Sequence, residues 1–189
     1  DMTKRAKGRL IVRACDVASS ESVRAFARAF GDAPLDVLLN NAGVYGGGAQ
    51  TTSDMDYDDA LHTYSVNALG PLRVSLALRA NLARGENPRI VHVTSGMGSI
   101  QDNRSGGFYA YRMSKAALNM ASRTLAVDLA PERIASVVIN PGWVQTDMGG
   151  PSAPTSAEDS VRGMLLQIDS VTLSRSGTFL HWSGGEFPW

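Results

Sequence analysis

Tyr111 and Lys115 stand four residues apart in Tyr111-Arg112-Met113-Ser114-Lys115. On a helix, a four-residue step returns to nearly the same face one turn along, so the two side chains are neighbours. An ammonium beside a phenol favours tyrosinate and lowers the phenol pKa. A phenol brought toward working pH can give or take a proton at a carbonyl or carbinol group. Tyr109 is the competing phenol. It is rejected because a six-residue offset places it roughly 240° round the helix from Lys115. The spacing alone is a common helical coincidence, and neighbouring residues give it weight. Thr94-Ser95 ends the apolar run just before this helix, and a serine hydroxyl there can hydrogen-bond a substrate oxygen. Asn67, in Tyr64-Ser65-Val66-Asn67-Ala68, falls inside a long helical pattern, where an amide is poorly placed for helix propensity. A specific hydrogen bond, for example to an ordered water, explains it; a satisfied core amide is the alternative.

These residues need elements to hold them. Leu10-Ile11-Val12 reads as a buried strand ending near Asp16. Ser19-Ser20 start a helix whose apolar face is Val23, Phe26, Ala27 and Phe30, stopped by Gly31 and Pro34. Leu35-Asp36-Val37-Leu38-Leu39 is a second strand, running into Asn40-Asn41-Ala42-Gly43. A helical pattern over 56–83 contains Pro71, which predicts a kink or break. Further strands fall at 89–94 and 134–139, and a last one at 177–180. Helices fall at 109–129 and from Ser156 to about Ile168. Strands alternate with helices, and the strands are continuously apolar. That pattern predicts an α/β fold: one parallel sheet covered by helices on both faces. Such sheets bind ligands beyond the carboxyl ends of their strands. Asp16, Asn40-Asn41, Thr94-Ser95 and Asn140-Pro141-Gly142 each sit just past an apolar strand.

The 189 residues fit a single domain, 1–189. Lys plus Arg and Asp plus Glu both number 18, so no bulk field favours nucleic acid or an anionic membrane. The basic run at 4–9 reads as a solvated end. Cys15 is the only cysteine, which excludes an internal disulfide, and a buried thiol is expected of it. His62, His92 and His181 lack ligand spacing, so no metal site is expected. No run approaches the roughly 20 apolar residues of a membrane span. Asp1-Met2-Thr3-Lys4-Arg5 has no apolar segment behind it, so it does not read as a secretory signal. A cytoplasmic setting is the expectation.

Five motifs in this order resemble the short-chain dehydrogenase/reductase family. They are Asn40-Asn41-Ala42-Gly43, Val66-Asn67-Ala68-Leu69-Gly70-Pro71, Val93-Thr94-Ser95-Gly96-Met97-Gly98, Tyr111 to Lys115, and Asn140-Pro141-Gly142-Trp143-Val144-Gln145-Thr146. The resemblance runs over about residues 10–181. The Tyr-Arg-Met-Ser-Lys form, the run from Pro141 to Pro151 and the ending Pro188-Trp189 are similar to the C-factor-like branch, which includes a developmental cell–cell signal. The resemblance implies a Rossmann-like doubly wound sheet and an NAD(P)-dependent oxidoreductase acting on a small alcohol or carbonyl compound. Tyr111 would be the general acid/base. Lys115 would tune it and hold the nicotinamide ribose. Ser95 would orient the substrate carbonyl, and Asn67 would hold a water linking Lys115 to solvent. Asp16 would contact adenine. Asn40, Ala42 and Gly43 would lie along the adenosine side. Pro141, Gly142, Val144 and Thr146 would border the nicotinamide, with NAD and NADP both open. Residues 147–154 would cover substrate. A stretch near 101–107, about three residues longer than usual, would shape the pocket. A homodimer or homotetramer through the two long helices is implied.

One part of the family pattern is missing. No Gly-x-x-x-Gly-x-Gly occurs, so the turn whose backbone N–H groups meet a pyrophosphate is absent. Only fifteen residues precede Asp16, whereas a strand–helix–strand unit needs roughly 30. Relative to the family, the domain therefore reads as truncated at its N-terminus. It is a fragment, a shortened protein without nucleotide binding, or a chain whose cofactor half lies elsewhere. The rival functional reading is a non-enzymatic signalling or interaction protein of the C-factor-like kind.

Overall fold

The computed structural model describes residues 10–189, and the basic run at 4–9 lies outside them. Four parallel strands pair in sequence order: β1 (Val37–Asn40), β2 (Arg89–Val93), β3 (Ala135–Asn140) and β4 (Phe179–His181). Neighbouring residues of β2 show why its apolar run is continuous. Side chains alternate between faces, so Ile90 joins Leu82, Leu125, Leu129 and Ile134 on one side. Val91 joins Val137, Ile139, Ile168 and Leu180 on the other. Helices cover both faces, as the apolar runs predict.

The helices begin where short polar side chains can accept the free N–H groups of a first turn. Ser19 accepts from Ser22 at the start of α1 (Ser20–Phe30), and Gly31 ends it at φ 73. Asp56 caps α2 (Tyr57–Tyr64), and Ser156 caps α6 (Ala157–Asp169). Between α2 and α3 (Gly70–Ala77) the chain widens into a π turn at Ser65–Leu69, where the Gly70 N–H reaches the Ser65 carbonyl. Pro71 has no N–H to give. The wider turn and its place in the first turn of α3 let the helical path continue through it. The break comes later, at Leu78 (φ −103, ψ 8), before the short α4 (Arg79–Leu82). The long α5 (Tyr109–Asp128) buries Tyr111, Ser114, Lys115, Leu118, Ser122 and Leu125, one helical face.

The expected strand at 10–16 does not form. Residues 10–15 pair with none of the four strands, and Ile11 and Val12 are 75% and 72% exposed. Apolar side chains alone do not make a strand; the backbone needs a ladder partner. Along this segment only Cys15 and Val17 reach the core, against the cluster of Val23, Val74 and Leu78. Cys15 is therefore half-buried rather than fully enclosed.

Candidate active site

The strands' carboxyl ends open into a cavity of about 1150 Å³ bordered by Ser95, Tyr111, Lys115 and the loop after β3. Helix α5 supplies the Tyr111–Lys115 pair on its buried side, 6% and 5% exposed, while Tyr109 is 41% exposed. Lys115 Nζ lies 5.8 Å from the centre of the Tyr111 ring. It donates to the Val93 carbonyl at 3.0 Å, so the last residue of β2 anchors it. Two residues on, the Ser95 hydroxyl lies alongside the Tyr111 phenol and accepts the Met97 N–H at 3.1 Å.

Burial raises the phenol pKa, the Ser95 hydroxyl draws it down, and Tyr45 adds to the rise. The phenol therefore moves upward, opposite to the lowering expected from Lys115. Burial also pushes Lys115 down, from 10.5 to about 8. Both shifts favour the neutral form of a desolvated group. At neutral pH the phenol keeps its proton and Lys115 keeps its charge.

Asn67 is fully buried in the π turn. Its Nδ2 donates to the Val44 carbonyl at 2.8 Å and to Ser114 Oγ at 2.9 Å, and its Oδ1 accepts the Val44 N–H at 2.8 Å. The side chain therefore clamps the loop after β1 to the helix that carries Tyr111 and Lys115. The side chain is thus satisfied by protein groups rather than by an ordered water. Gly43 lets that loop come close: a Cβ there would sit 3.4 Å from both Asn67 Oδ1 and Lys115 Nζ.

A family model described as short chain dehydrogenase matches residues 1–157. The chain belongs to the short-chain dehydrogenase family. C-signal of Myxococcus xanthus is 53% identical over 167 residues, 88% of this chain and 100% of that protein; the C-factor-like resemblance holds. The 1-hydroxy-2-glutathionyl-2-methyl-3-butene dehydrogenase of Rhodococcus sp. (strain AD45) is 35% identical over 190 residues, 97% of this chain and 82% of that one. Among solved structures, NADPH-bound carbonyl reductase from chicken fatty liver superposes with a TM-score of 0.92 at 31% identity, covering 100% of this chain and 80% of that one.

In this member of the family, Ser95, Tyr111, Lys115, Gly43, Pro141, Gly142, Val144 and Thr146 all border the same cavity. Asn67 stands behind it. Asp16, Asn40 and Ala42 are not on its wall. Asp16 is exposed and holds the turn that precedes α1, accepting the Ala18 N–H at 2.9 Å. Asn40 turns inward, its Nδ2 at 3.2 Å from both Ser75 Oγ and His92 Nδ1. Ala42 is exposed. The stretch 101–107 does not border the cavity either. Arg112 holds it through the Gly106 and Gly107 carbonyls at 3.2 and 3.0 Å and Ser105 Oγ at 2.7 Å. From the loop expected to cover substrate, Asp147, Met148 and Gly149 do border the cavity.

Asn41, singled out only as a polar residue at a strand end, lies on the cavity wall, while sequence reading gave no role to Tyr45, Met97 and His181 there or to Gln50 behind it. Tyr45 packs its ring 4.7 Å from the Tyr111 ring and 5.4 Å from Phe108. Its place two residues after Asn-Asn-Ala-Gly was the available signal. Gln50 gave none, because its role depends on a contact 61 residues away.

The residues fit a nicotinamide nucleotide at one end. Lys115 Nζ has one protein acceptor and three N–H donors, and Gly43 and the Pro141–Thr146 loop leave open space beside it. At the other end the chain offers no glycine-rich turn for a pyrophosphate. Among the described residues, no cluster of His, Cys, Asp or Glu could hold a metal. No described helix is long and apolar enough to cross a membrane.

Proposed function

We propose that this protein is an NADPH- or NADH-dependent oxidoreductase that reduces a small carbonyl compound, or oxidises the matching alcohol, with Tyr111 as the acid/base. The observation that carries this reading is the Ser95 hydroxyl beside the buried Tyr111 phenol, with Lys115 anchored next to it by the Val93 carbonyl. The nicotinamide, when bound, supplies or takes the hydride. Lys115 and the Pro141–Thr146 loop would hold its ribose and amide end, with Gly43 leaving room. Ser95 donates a hydrogen bond to the substrate oxygen and holds it toward the phenol. Tyr111 Oη gives its proton to that oxygen as the alcohol forms. Lys115 stabilises the resulting tyrosinate by its charge until a proton returns through the Asn67 side. A phenol held protonated at neutral pH suits the reductive direction. The NADPH carried by the chicken relative favours NADPH over NADH.

The test is calorimetric titration of the folded chain with NADPH and NADH, followed by a reduction assay on simple ketones. Binding and turnover that Tyr111→Phe abolishes would support the reading. A folded protein that binds neither nucleotide would overturn it.

A second reading is favoured by the C-signal relative, 53% identical over 167 residues. In it, the protein is a signalling or interaction module, and its activity needs no nucleotide and survives Tyr111→Phe. A homo-oligomer built on α2 and α5 is compatible with both.

A further inference from the structure

One part of the cavity is left unused by proton transfer. Asn140 and His181 are register partners at the ends of β3 and β4, so they stand side by side on the same face of the sheet. Both border the cavity that holds Tyr111 and Ser95. Asn140 Oδ1 accepts the Gly142 N–H at 3.0 Å, which fixes the amide. Its Nδ2 then has no partner among the described residues. The His181 ring is stacked on Phe187, 5.8 Å between centres at 17°. Its Nδ1 faces Ser183, with the hydroxyl at 2.7 Å and the N–H donating at 3.4 Å. The ring proton therefore resides on Nε2, which also lacks a partner among the described residues. Burial lowers the His181 pKa, so the ring is a neutral donor at neutral pH. Two N–H donors held rigid at a cavity wall, and left without acceptors, call for an acceptor on the ligand.

We propose that Asn140 and His181 form a second polar contact for the substrate, binding an uncharged acceptor oxygen apart from the carbonyl that is reduced. This rests on the oxidoreductase reading above and names its substrate class: an apolar ketone carrying a second carbonyl, ester or hydroxyl oxygen. Met97, Trp143, Met148 and Met164 give the same cavity apolar wall. Asp147 is the acidic side chain on the same cavity, and neither donor carries a charge. The site therefore favours a neutral oxygen over a carboxylate.

Three aromatic ketones of similar size test this: 1-phenyl-1,2-propanedione, benzoylformate and propiophenone. Binding to the wild-type chain is followed by tryptophan fluorescence, since Trp143 borders the cavity, and turnover is measured with NADPH. The dione should bind about tenfold more tightly than propiophenone, the worth of one good hydrogen bond, and benzoylformate more weakly than the dione. His181→Phe keeps the ring stacking and removes the donor. It should erase the dione's advantage and leave propiophenone binding unchanged. Asn140→Asp, which keeps the acceptor for Gly142, should do the same. Equal binding of dione and propiophenone, a preference for benzoylformate, or undiminished dione binding in both variants would overturn the proposal. Selective dione binding without turnover of any ketone would overturn the oxidoreductase reading alone.

Discussion

Gln50 Oε1 accepts the main-chain N–H of Tyr111 at 3.0 Å. A helix leaves its first N–H groups unpaired, and Phe108, at the start of α5, makes no side-chain cap bond. Phe108 also has φ 52, a left-handed geometry that costs a bulky residue energy. A glutamine from another loop therefore satisfies the first turn where the Tyr111 phenol sits. Its Nε2 donates to the Tyr45 carbonyl at 3.0 Å, so the same side chain places the aromatic ring packed on Tyr111. Gln50→Leu leaves a buried N–H without a partner, which costs about 1–3 kcal/mol. The urea midpoint should fall accordingly; an unchanged midpoint would show that the bond contributes nothing.

Tyr111→Phe removes the proton donor and keeps the ring that packs on Tyr45. Turnover should drop by about 10² to 10⁴, the usual worth of a positioned acid. The circular dichroism spectrum and thermal midpoint should stay near wild type. Unimpaired turnover in this variant would exclude Tyr111 as the acid/base.

His92 predicts the acid limb of stability. Burial first, and the Lys115 charge second, lower its pKa from 6.5 to about 3. Ser75 Oγ donates to the Pro71 carbonyl, so it accepts from Asn40 Nδ2, and the same amide donates to His92 Nδ1. The imidazole is neutral, with its proton on Nε2. Between about 6.5 and about 3 the unfolded chain holds a proton that the folded one does not, so stability falls as pH falls through that window. His92→Asn should flatten that limb in chemical denaturation followed against pH. An equal slope in both proteins would remove His92 as its source.

Lys115 predicts an alkaline limb of the same sign. Its folded pKa of about 8 lies below the 10.5 of the free side chain. Between those values the unfolded chain carries the extra proton, so this group adds stability as pH rises. Lys115→Met should abolish that rise and also sharply reduce turnover. The rise persisting in denaturation curves of the variant would count against a buried Lys115.

Met113, Met120 and Val127 repeat every seven residues on α5 and are 63%, 67% and 63% exposed. Seven residues are close to two helical turns, so they form one stripe, and Leu61 on α2 is exposed as well. A self-associating chain would cover this stripe. Light scattering at micromolar concentration should report a dimer or larger. Met120→Glu should shift it to monomer; a wild-type monomer would sink the prediction.

The sequence alone determined what depends on local pattern. Period and length distinguished α5 from β2 and β3, since a buried strand of a two-sided sheet is apolar at every position while a helix is apolar on one face. Caps at Ser19, Asp56 and Ser156 and the stop at Gly31 follow from side chains that bond their own neighbours. Tyr111 and Lys115 could be paired because a helix fixes a four-residue step. The tertiary structure decided whatever needs a distant partner. Residues 10–15 have the composition of a strand and no strand to pair with. Asn40 reads as a cofactor contact and instead turns toward Ser75 and His92, because β1, β2 and α3 meet there. Burial, which no single residue reveals, raised the Tyr111 phenol against the pull expected from Lys115. Gln50 became a helix cap, and Asn140 and His181 became neighbours, only because packing brought together residues that are 61 and 41 positions apart.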